Sequence, residues 1–315
     1  MIEERILARL AARLARALAP PRVPLTRFVV DGALVGELER ERVERMRAFD
    51  RVFRMSGEAL TFVPALAEAE ARTRAMADVA RALADDGALT AWRDERYAVV
   101  PEGSPVPAFL LERSAARFFG IDTMAVHVNG STPLPDGSAG MWLARRSPFK
   151  AIDPGLLDNL VGGGVAHGAD VRATLAKEAW EEAGLAPSLV ATAVPAGRLR
   201  IRRLQPDGVQ RETIFVYDLD LSAGVVPVNQ DGEVTAFRLA RPEEVAELAG
   251  NAEGPDVVTA DASLVMADWL VRKGFVGSTA EVASVVRQAH ATRLSQPGIP
   301  TKITHDPEDA TRPRL

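Results

Sequence analysis

The sequence predicts an α/β protein, in which an α/β/α sandwich built on a mixed sheet is preceded by a smaller α+β domain. Three observations lead to this prediction. The chain has 315 residues, more than a single hydrophobic core usually accommodates. Apolar residues make up 47% of it and charged residues 26%, as in ordinary folded domains. After Gly120, strand-like and helical segments follow one another, which is typical of a sheet covered by helices.

Residues 1–119 are predicted to form the smaller domain. The chain begins with an amphipathic helix. Its apolar side consists of Ile2, Ile6, Leu10, Leu14 and Leu18. Further helical patterns occur at residues 40–51 and 67–83, and strand-like pieces at 28–30 and 60–63. Because this region has no carboxylate cluster, glycine loop or metal-ligand spacing, we expect it to contribute pocket walls or a subunit contact.

Residues 120–276 are predicted to form the sandwich, and residues 277–315 one more helix and a loosely held tail. Five segments have strand-like composition: 123–128, 141–145, 189–194, 213–220 and 234–239. Three segments have helical patterns: 171–183, 242–249 and 261–273. Their order predicts a mixed sheet with helices packed on it.

Composition excludes several classes of function. A net charge of -5 and a pI near 5.6 give no reason to expect a nucleic-acid or membrane partner. No stretch approaches the roughly 18 consecutive apolar residues of a membrane-spanning helix. The absence of cysteine suits a reducing compartment. Charged residues interrupt the first apolar segment, whereas the apolar segment of a secretory signal is unbroken. We therefore expect a cytoplasmic protein.

The most informative segment runs from residue 160 to residue 185. Four glycines predict a loop before a helical pattern: Gly162, Gly163, Gly164 and Gly168. Asp170 can cap this helix and Gly184 can end it. On the helix, Glu178, Glu181 and Glu182 are spaced at i, i+3 and i+4, which places three carboxylates on one face. A divalent cation would relieve their repulsion, and carboxylate oxygens suit magnesium. The alternative is a charged surface helix, since glutamate is a good helix former.

Two nucleotide-binding motifs fail at this glycine cluster. A dinucleotide-binding fingerprint that starts at Gly162 needs a glycine where His167 stands. A P-loop needs lysine and then serine or threonine after Gly168, where Ala169 and Asp170 stand. The cluster therefore supports neither class of nucleotide-binding protein.

The same segment resembles the Nudix box, Gly-x5-Glu-x7-Arg-Glu-U-x-Glu-Glu-x-Gly-U, in which U is a bulky aliphatic residue. Six residues match it: Gly163, Glu178, Glu181, Glu182, Gly184 and Leu185. Three depart from it: Ala169 at the early glutamate, Lys177 at the arginine and Ala179 at the first aliphatic position. The resemblance implies a Nudix-type sandwich and a magnesium-dependent hydrolase, with manganese as the alternative metal. It also implies that Glu181 and Glu182 bind the metal, and that Glu178 binds it or orients the water.

Segments outside the box resemble the branch of Nudix proteins that carries an N-terminal domain of the DUF4743 type. They occur at residues 118–121, 126–130, 141–150, 154–163, 215–218, 229–234 and 270–274. Relatives in this branch are associated with thiamine diphosphate and its oxidised forms, which are hydrolysed to the monophosphate. The resemblance therefore implies this substrate class.

Cationic and loop residues near the box complete the predicted site. The substrate-binding candidates are Arg145, Arg146, Lys150, Gly163, Gly164 and His167. Neighbouring strand residues face opposite sides of a sheet, so we expect only one of Arg145 and Arg146 to reach the substrate. Glu233 is a candidate fourth catalytic carboxylate. Whether Glu178 or Glu233 is the base stays open.

The sequence thus predicts an enzyme that hydrolyses a small-molecule diphosphate. Hydrolysis of nucleoside diphosphate derivatives is an alternative to thiamine diphosphate. A noncatalytic ligand sensor with the same fold is the second alternative, which the departures at Ala169 and Lys177 keep open. A homodimer is compatible with the sequence.

Overall fold

A computed structural model describes residues 2–101 and 104–291, so the expected tail beyond residue 291 lies outside the described residues. The helices are α1 (Glu4–Ala17), α2 (Arg40–Met46), α3 (Ala69–Asp85), α4 (Val171–Ala183), α5 (Pro187–Val190), α6 (Pro242–Gly250), α7 (Ala260–Arg272) and α8 (Glu281–Ala291). The strands are β1 (Leu25–Val30), β2 (Ala33–Glu39), β3 (Phe53–Ser56), β4 (Ala59–Phe62), β5 (Arg96–Val99), β6 (Phe109–Glu112), β7 (Asp122–Pro133), β8 (Ala139–Arg146), β9 (Leu157–Asn159), β10 (Val161–Gly164), β11 (Val194–Gln205), β12 (Gly208–Asp220) and β13 (Val234–Ala240). Within the described residues, no helix is long and apolar enough to cross a membrane.

The N-terminal region contains a four-stranded sheet of order β2-β1-β4-β3. Alternate strand residues face one core, in which Phe28 of β1 meets Phe62 of β4 edge to face at 5.4 Å between ring centroids. Met76 of α3 is buried in the same core. Strands β5 and β6 form a separate hairpin, and the chain leaves it directly for the second sheet.

The second sheet is mixed and has helices on both faces. Its main path is β11-β12-β7-β8-β13, in which β12 and β7 are parallel and β7 and β8 antiparallel. Neighbouring residues of β12 show the two faces: Ile214 lies in one core with Trp269 of α7, and Phe215 lies in the other with Leu175 of α4. The expected α/β/α sandwich after a smaller α+β region is confirmed.

Helix α1 lies on the sandwich. Leu10 and Leu14 are fully buried in the same core as Trp269. The guanidinium of Arg13 donates to the carbonyl of Ala249, at the end of α6, over 3.1 Å. The domain boundaries expected at residues 119 and 276 stay a prediction, and the first helix contributes to the core of the second region.

Two local predictions were wrong. Residues 189–194 are not a strand, because a helix starts at Pro187, a favoured first position for proline, and β11 begins only at Val194. The glycine cluster is not wholly a loop, because Val161–Gly164 forms β10. This strand pairs antiparallel with residues 125–128 of β7, while β8 pairs with residues 131–133 of the same strand. The glycines are therefore held in the sheet.

Helix α8 is anchored by an ion pair that depends on pH. His290 Nε2 lies 2.8 Å from Oδ1 of the buried Asp268, and this hydrogen bond raises the pKa of His290 against the effect of burial. The stability that this ion pair gives is fully present below the pKa of about 6.5 that His290 has in the unfolded chain. It is lost as the pH rises through the higher pKa of His290 in the folded protein. We expect His290→Gln to destabilise the protein at pH 6, by about 1 kcal/mol or less because the pair is partly exposed, and to have little effect at pH 9. Thermal unfolding at both pH values measures this, and equal destabilisation at both would contradict it.

Candidate active site

Helix α4 begins and ends where the sequence predicts. Asp170 Oδ1 accepts a hydrogen bond of 2.6 Å from the backbone N–H of Ala173. Gly184 ends the helix in the left-handed region, with φ of 64°, where glycine is unstrained. These local signals fix the ends of α4, and its buried apolar residues Leu175, Ala179 and Ala183 fix the face that it turns to the sheet.

Glu182 is the most buried of the three glutamates. It is 5% exposed, and its Oε2 accepts a hydrogen bond of 2.8 Å from the backbone N–H of Gly162. Burial raises the pKa of Glu182 to about 8, an effect that the Gly162 N–H and the ammonium of Lys150 only partly offset. A cation placed beside this carboxyl group would favour its charged form.

Glu178 and Glu181 share one cation. Lys177 Nζ donates to Glu178 Oε1 over 3.2 Å and to Glu181 Oε2 over 2.6 Å. Burial raises the pKa of Glu178, although Lys177 and Arg113 act in the opposite direction. The lysine at the box arginine position therefore lies between two of the three box carboxylates.

Two glycines of β10 let side chains pack closely against the strand backbone. A Cβ at Gly163 would lie 2.4 Å from Cγ of Glu178. A Cβ at Gly164 would lie 2.3 Å from the hydroxyl of Tyr97. Both distances are shorter than van der Waals contact, so a larger residue at either position would displace its neighbour. Since adjacent strand residues face opposite sides, Glu178 and Tyr97 approach β10 from opposite faces.

A cavity of about 190 Å³ adjoins residues 162–164 of β10 and is lined by both regions of the chain. Its cationic lining residues are Arg93, Arg113 and Arg117 from the N-terminal region and Arg146 and Lys150 from the sandwich. Within the described residues, none of the three box glutamates lines it. Five carboxylates line it as well: Asp153, Asp158, Asp207, Glu212 and Asp261. The box glutamates and this cavity of mixed charge therefore adjoin the same glycines without merging into one cluster.

The structure brings some of the predicted substrate-binding residues to this cavity. Four line it: Arg146, Lys150, Gly163 and Gly164. Arg145 lies elsewhere, in an ion pair with Asp256, as the alternation of strand residues allows. His167 is exposed and outside the lining, and its backbone N–H donates to the carbonyl of Arg96 over 2.8 Å. The arrangement gives no support to a substrate contact from either residue.

Glu233 is surrounded by cations. Its Oε2 accepts a hydrogen bond from Lys150 Nζ, and its Oε1 lies 3.5 Å from Arg93 Nη1. Burial acts in the opposite direction, but these cations lower the pKa of Glu233. Glu233 therefore holds Lys150 at the cavity, and its oxygens are already engaged.

The sequence reasoning missed the cavity residues of the N-terminal region. Arg93, Arg113 and Arg117 stand among many interleaved charges, which look like a solvated surface. One signal was available, since alternating apolar residues such as Tyr97 and Val99 are typical of a half-buried strand. It could have located the hairpin, although not its contact with β10.

The box carboxylates fit a divalent cation in their chemistry. Glu178 and Glu181 already share the ammonium group of Lys177. Carboxylate oxygens are preferred ligands of hard cations. Lys177 is 60% exposed, so its long side chain can move away when another cation binds. In the described part of the chain, no group of three His, Cys, Asp or Glu side chains is already arranged to hold a metal ion.

Comparisons with known proteins cover most of the chain. Residues 10–123 match the family described as a domain of unknown function, DUF4743, and residues 129–261 match the NUDIX domain family. Nudix hydrolase 20, chloroplastic, of Arabidopsis thaliana is 36% identical over 258 residues, which are 79% of this chain and 68% of that protein. Nudix hydrolase 24, chloroplastic, of the same plant is 36% identical over 251 residues, which are again 79% of this chain and 68% of that protein.

A solved structure, that of DR0079 from Deinococcus radiodurans, is 26% identical, covers 54% of this chain and 97% of that chain, and has a TM-score of 0.41. The family matches and the two plant relatives confirm the resemblance seen in the box and in the segments around it. The chain therefore belongs to the Nudix hydrolase family and is a pyrophosphatase.

Proposed function

We propose that this Nudix hydrolase uses magnesium to cleave the diphosphate of a small molecule bound beside β10. One juxtaposition carries the proposal. Carboxylates suited to a divalent cation and a cavity with five cationic side chains among its lining residues adjoin the same short run of glycines. An anionic substrate and a divalent cation would thus be held within a few residues of each other.

The proposed mechanism assigns roles to residues of this chain. Nudix enzymes generally use a divalent metal, which supplies charge neutralisation for the diphosphate and a more acidic water. Glu178, Glu181 and Glu182 would hold it once Lys177 has moved away and their side chains have turned towards the ion. We assign proton acceptance from the attacking water to Glu178, because both oxygens of Glu233 already contact cations. Lys150 would offset the negative charge that develops on the leaving phosphate.

Thiamine diphosphate, cleaved to the monophosphate, is the proposed substrate. The DUF4743 match supports the resemblance to the branch associated with thiamine diphosphate. The cavity of about 190 Å³ is smaller than the roughly 300 to 1,000 Å³ of ordinary ligand sites, which favours a compact diphosphate over a dinucleotide.

Turnover of a substrate panel tests this proposal. We expect thiamine diphosphate, or an oxidised analogue, to be hydrolysed to inorganic phosphate and a monophosphate with magnesium, and not in the presence of a chelator. ADP-ribose and NADH serve as competing substrates, and manganese as the alternative metal. Preference for the dinucleotides with no thiamine activity would leave only the broader diphosphate hydrolase. Absence of metal-dependent hydrolysis of every compound would instead favour the ligand sensor.

Three further proposals concern organisation and location. We propose domain boundaries at residues 119 and 276, a homodimer in solution, and a cytoplasmic location. Size-exclusion chromatography with light scattering tests the dimer.

A further inference from the structure

We propose that Arg113, from the N-terminal region, binds an anionic phosphate oxygen of the substrate in the cavity beside β10. This inference rests on the proposed function, and it assigns substrate binding to a residue outside the Nudix box. Arg113 follows β6 directly and lines the cavity.

The hairpin of β5 and β6 holds the guanidinium in place. Arg113 Nη1 donates to Glu95 Oε2 over 2.5 Å, and the Arg113 Cζ lies 5.8 Å from the ring centroid of Tyr97. A Cβ at Gly164 would lie 3.3 Å from Arg113 Nη2. Two partners thus orient the guanidinium, and its second terminal nitrogen reaches the backbone of β10.

Arg113 has more unengaged side-chain nitrogens than Arg146. All three side-chain nitrogens of Arg146 donate within the protein, to Asp158 Oδ2 over 3.0 Å and to the carbonyls of Ile152 and Asp153 over 2.8 and 3.1 Å. For Arg113, only Nη1 has a side-chain acceptor among residues 2–101 and 104–291. Its Nε and Nη2 therefore remain for a ligand, whereas every side-chain nitrogen of Arg146 already makes one hydrogen bond within the protein.

The surroundings of Arg113 favour a phosphate. A guanidinium binds phosphate through two parallel N–H···O hydrogen bonds, and the Arg113 side chain is 37% exposed, so a ligand can reach it. Burial raises the pKa of Tyr97 to about 12, so its hydroxyl stays protonated at neutral pH and can donate. Arg117 lies on the same wall. Arg117 is paired with Asp207, and other carboxylates line the cavity, so the donors left for an anion on this wall are those of Arg113 and Tyr97.

Binding of inorganic diphosphate to the full chain tests the proposal. Titration calorimetry in metal-free buffer compares wild type with Arg113→Gln, Arg113→Lys and a control, Arg54→Gln, which changes an exposed arginine of β3 outside the cavity lining. We expect Arg113→Gln to weaken binding about 10- to 100-fold and Arg113→Lys to weaken it less, since lysine keeps the charge but not the planar fork. Arg54→Gln should bind as wild type does.

Steady-state kinetics on the hydrolysed substrate provide the second measurement. Because Arg113 contacts the substrate before and during the reaction, KM should rise by a similar factor while kcat changes less. Equal diphosphate binding by Arg113→Gln and wild type, or no binding by wild type, overturns the proposal whatever the turnover assay shows. If wild type turns over no diphosphate but binding still depends on Arg113, the proposed function fails and the binding site stands. Should Arg113→Gln not fold, Arg113→Lys decides, and binding equal to wild type overturns the proposal.

Discussion

Glu182→Gln should abolish most turnover and leave the fold intact. The amide keeps the shape of the side chain, and its oxygen can still accept the hydrogen bond from the Gly162 N–H. It loses the negative charge that a divalent cation needs. A loss of about 3 kcal/mol of transition-state stabilisation corresponds to about a 100-fold fall in kcat/KM. Kinetics at saturating magnesium measure this, and wild-type rates would remove Glu182 from the metal site.

The same substitution should stabilise the metal-free protein at alkaline pH. Burial raises the pKa of Glu182 from 4.5 to about 8, so between these values the folded protein keeps a proton that the unfolded chain has released. This group therefore makes wild type less stable as the pH rises through that window, and glutamine removes the effect. Urea unfolding with a chelator at pH 5 and pH 8 measures it. Glu253→Gln, at an exposed position, is the control and should show no such gain.

Gly163→Ala should cost far more activity than stability. The new Cβ would lie 2.4 Å from Cγ of Glu178, so the glutamate has to rotate away. A rotating side chain relieves the clash without moving the backbone. A catalytic group displaced by about 1 Å can lose about 100-fold in rate, so we expect a fall in kcat of this order.

The matched control for this glycine is Gly224→Ala. A Cβ at Gly224 meets no atom within 4 Å, so the same chemical change should leave kcat and the unfolding temperature unchanged. Wild-type kcat in Gly163→Ala would show that catalysis does not depend on the close approach of Glu178 to residue 163. An equal loss in both variants would indicate a general effect of the added methyl group.

The bounds of a helix could be predicted from the sequence where a capping residue marks its start and a glycine marks its end. Helix α4 is predicted at residues 171–183 and observed there, because Asp170 caps its start and Gly184 permits the turn at its end. Strand β10 could not be predicted in this way, since glycine is depleted in strands. Its pairing with β7 and the close approach of Glu178 explain why glycines stand there.

The candidate site could be predicted only where its residues are neighbours on one element. Helical spacing places Glu178, Glu181 and Glu182 on one face without knowledge of the fold. The Arg113 and Tyr97 contacts with Gly164 join residues more than 50 positions apart, and no local pattern specifies such a pairing. The alternation of strand residues predicted that Arg145 and Arg146 of β8 face opposite sides of the sheet. Which of the two reaches the cavity depends on the partners that surround each side chain.

The position of α1 on the sandwich has a consequence for folding during synthesis. Arg13 and Ala249, which are hydrogen-bonded, are separated by 236 positions in the sequence. The ribosome therefore releases α1 long before helices α6, α7 and α8, against which its apolar side packs. Contacts so distant in sequence form slowly, so the apolar side of α1 stays uncovered while most of the chain is made. Apolar surface exposed in this way makes a nascent chain prone to aggregation.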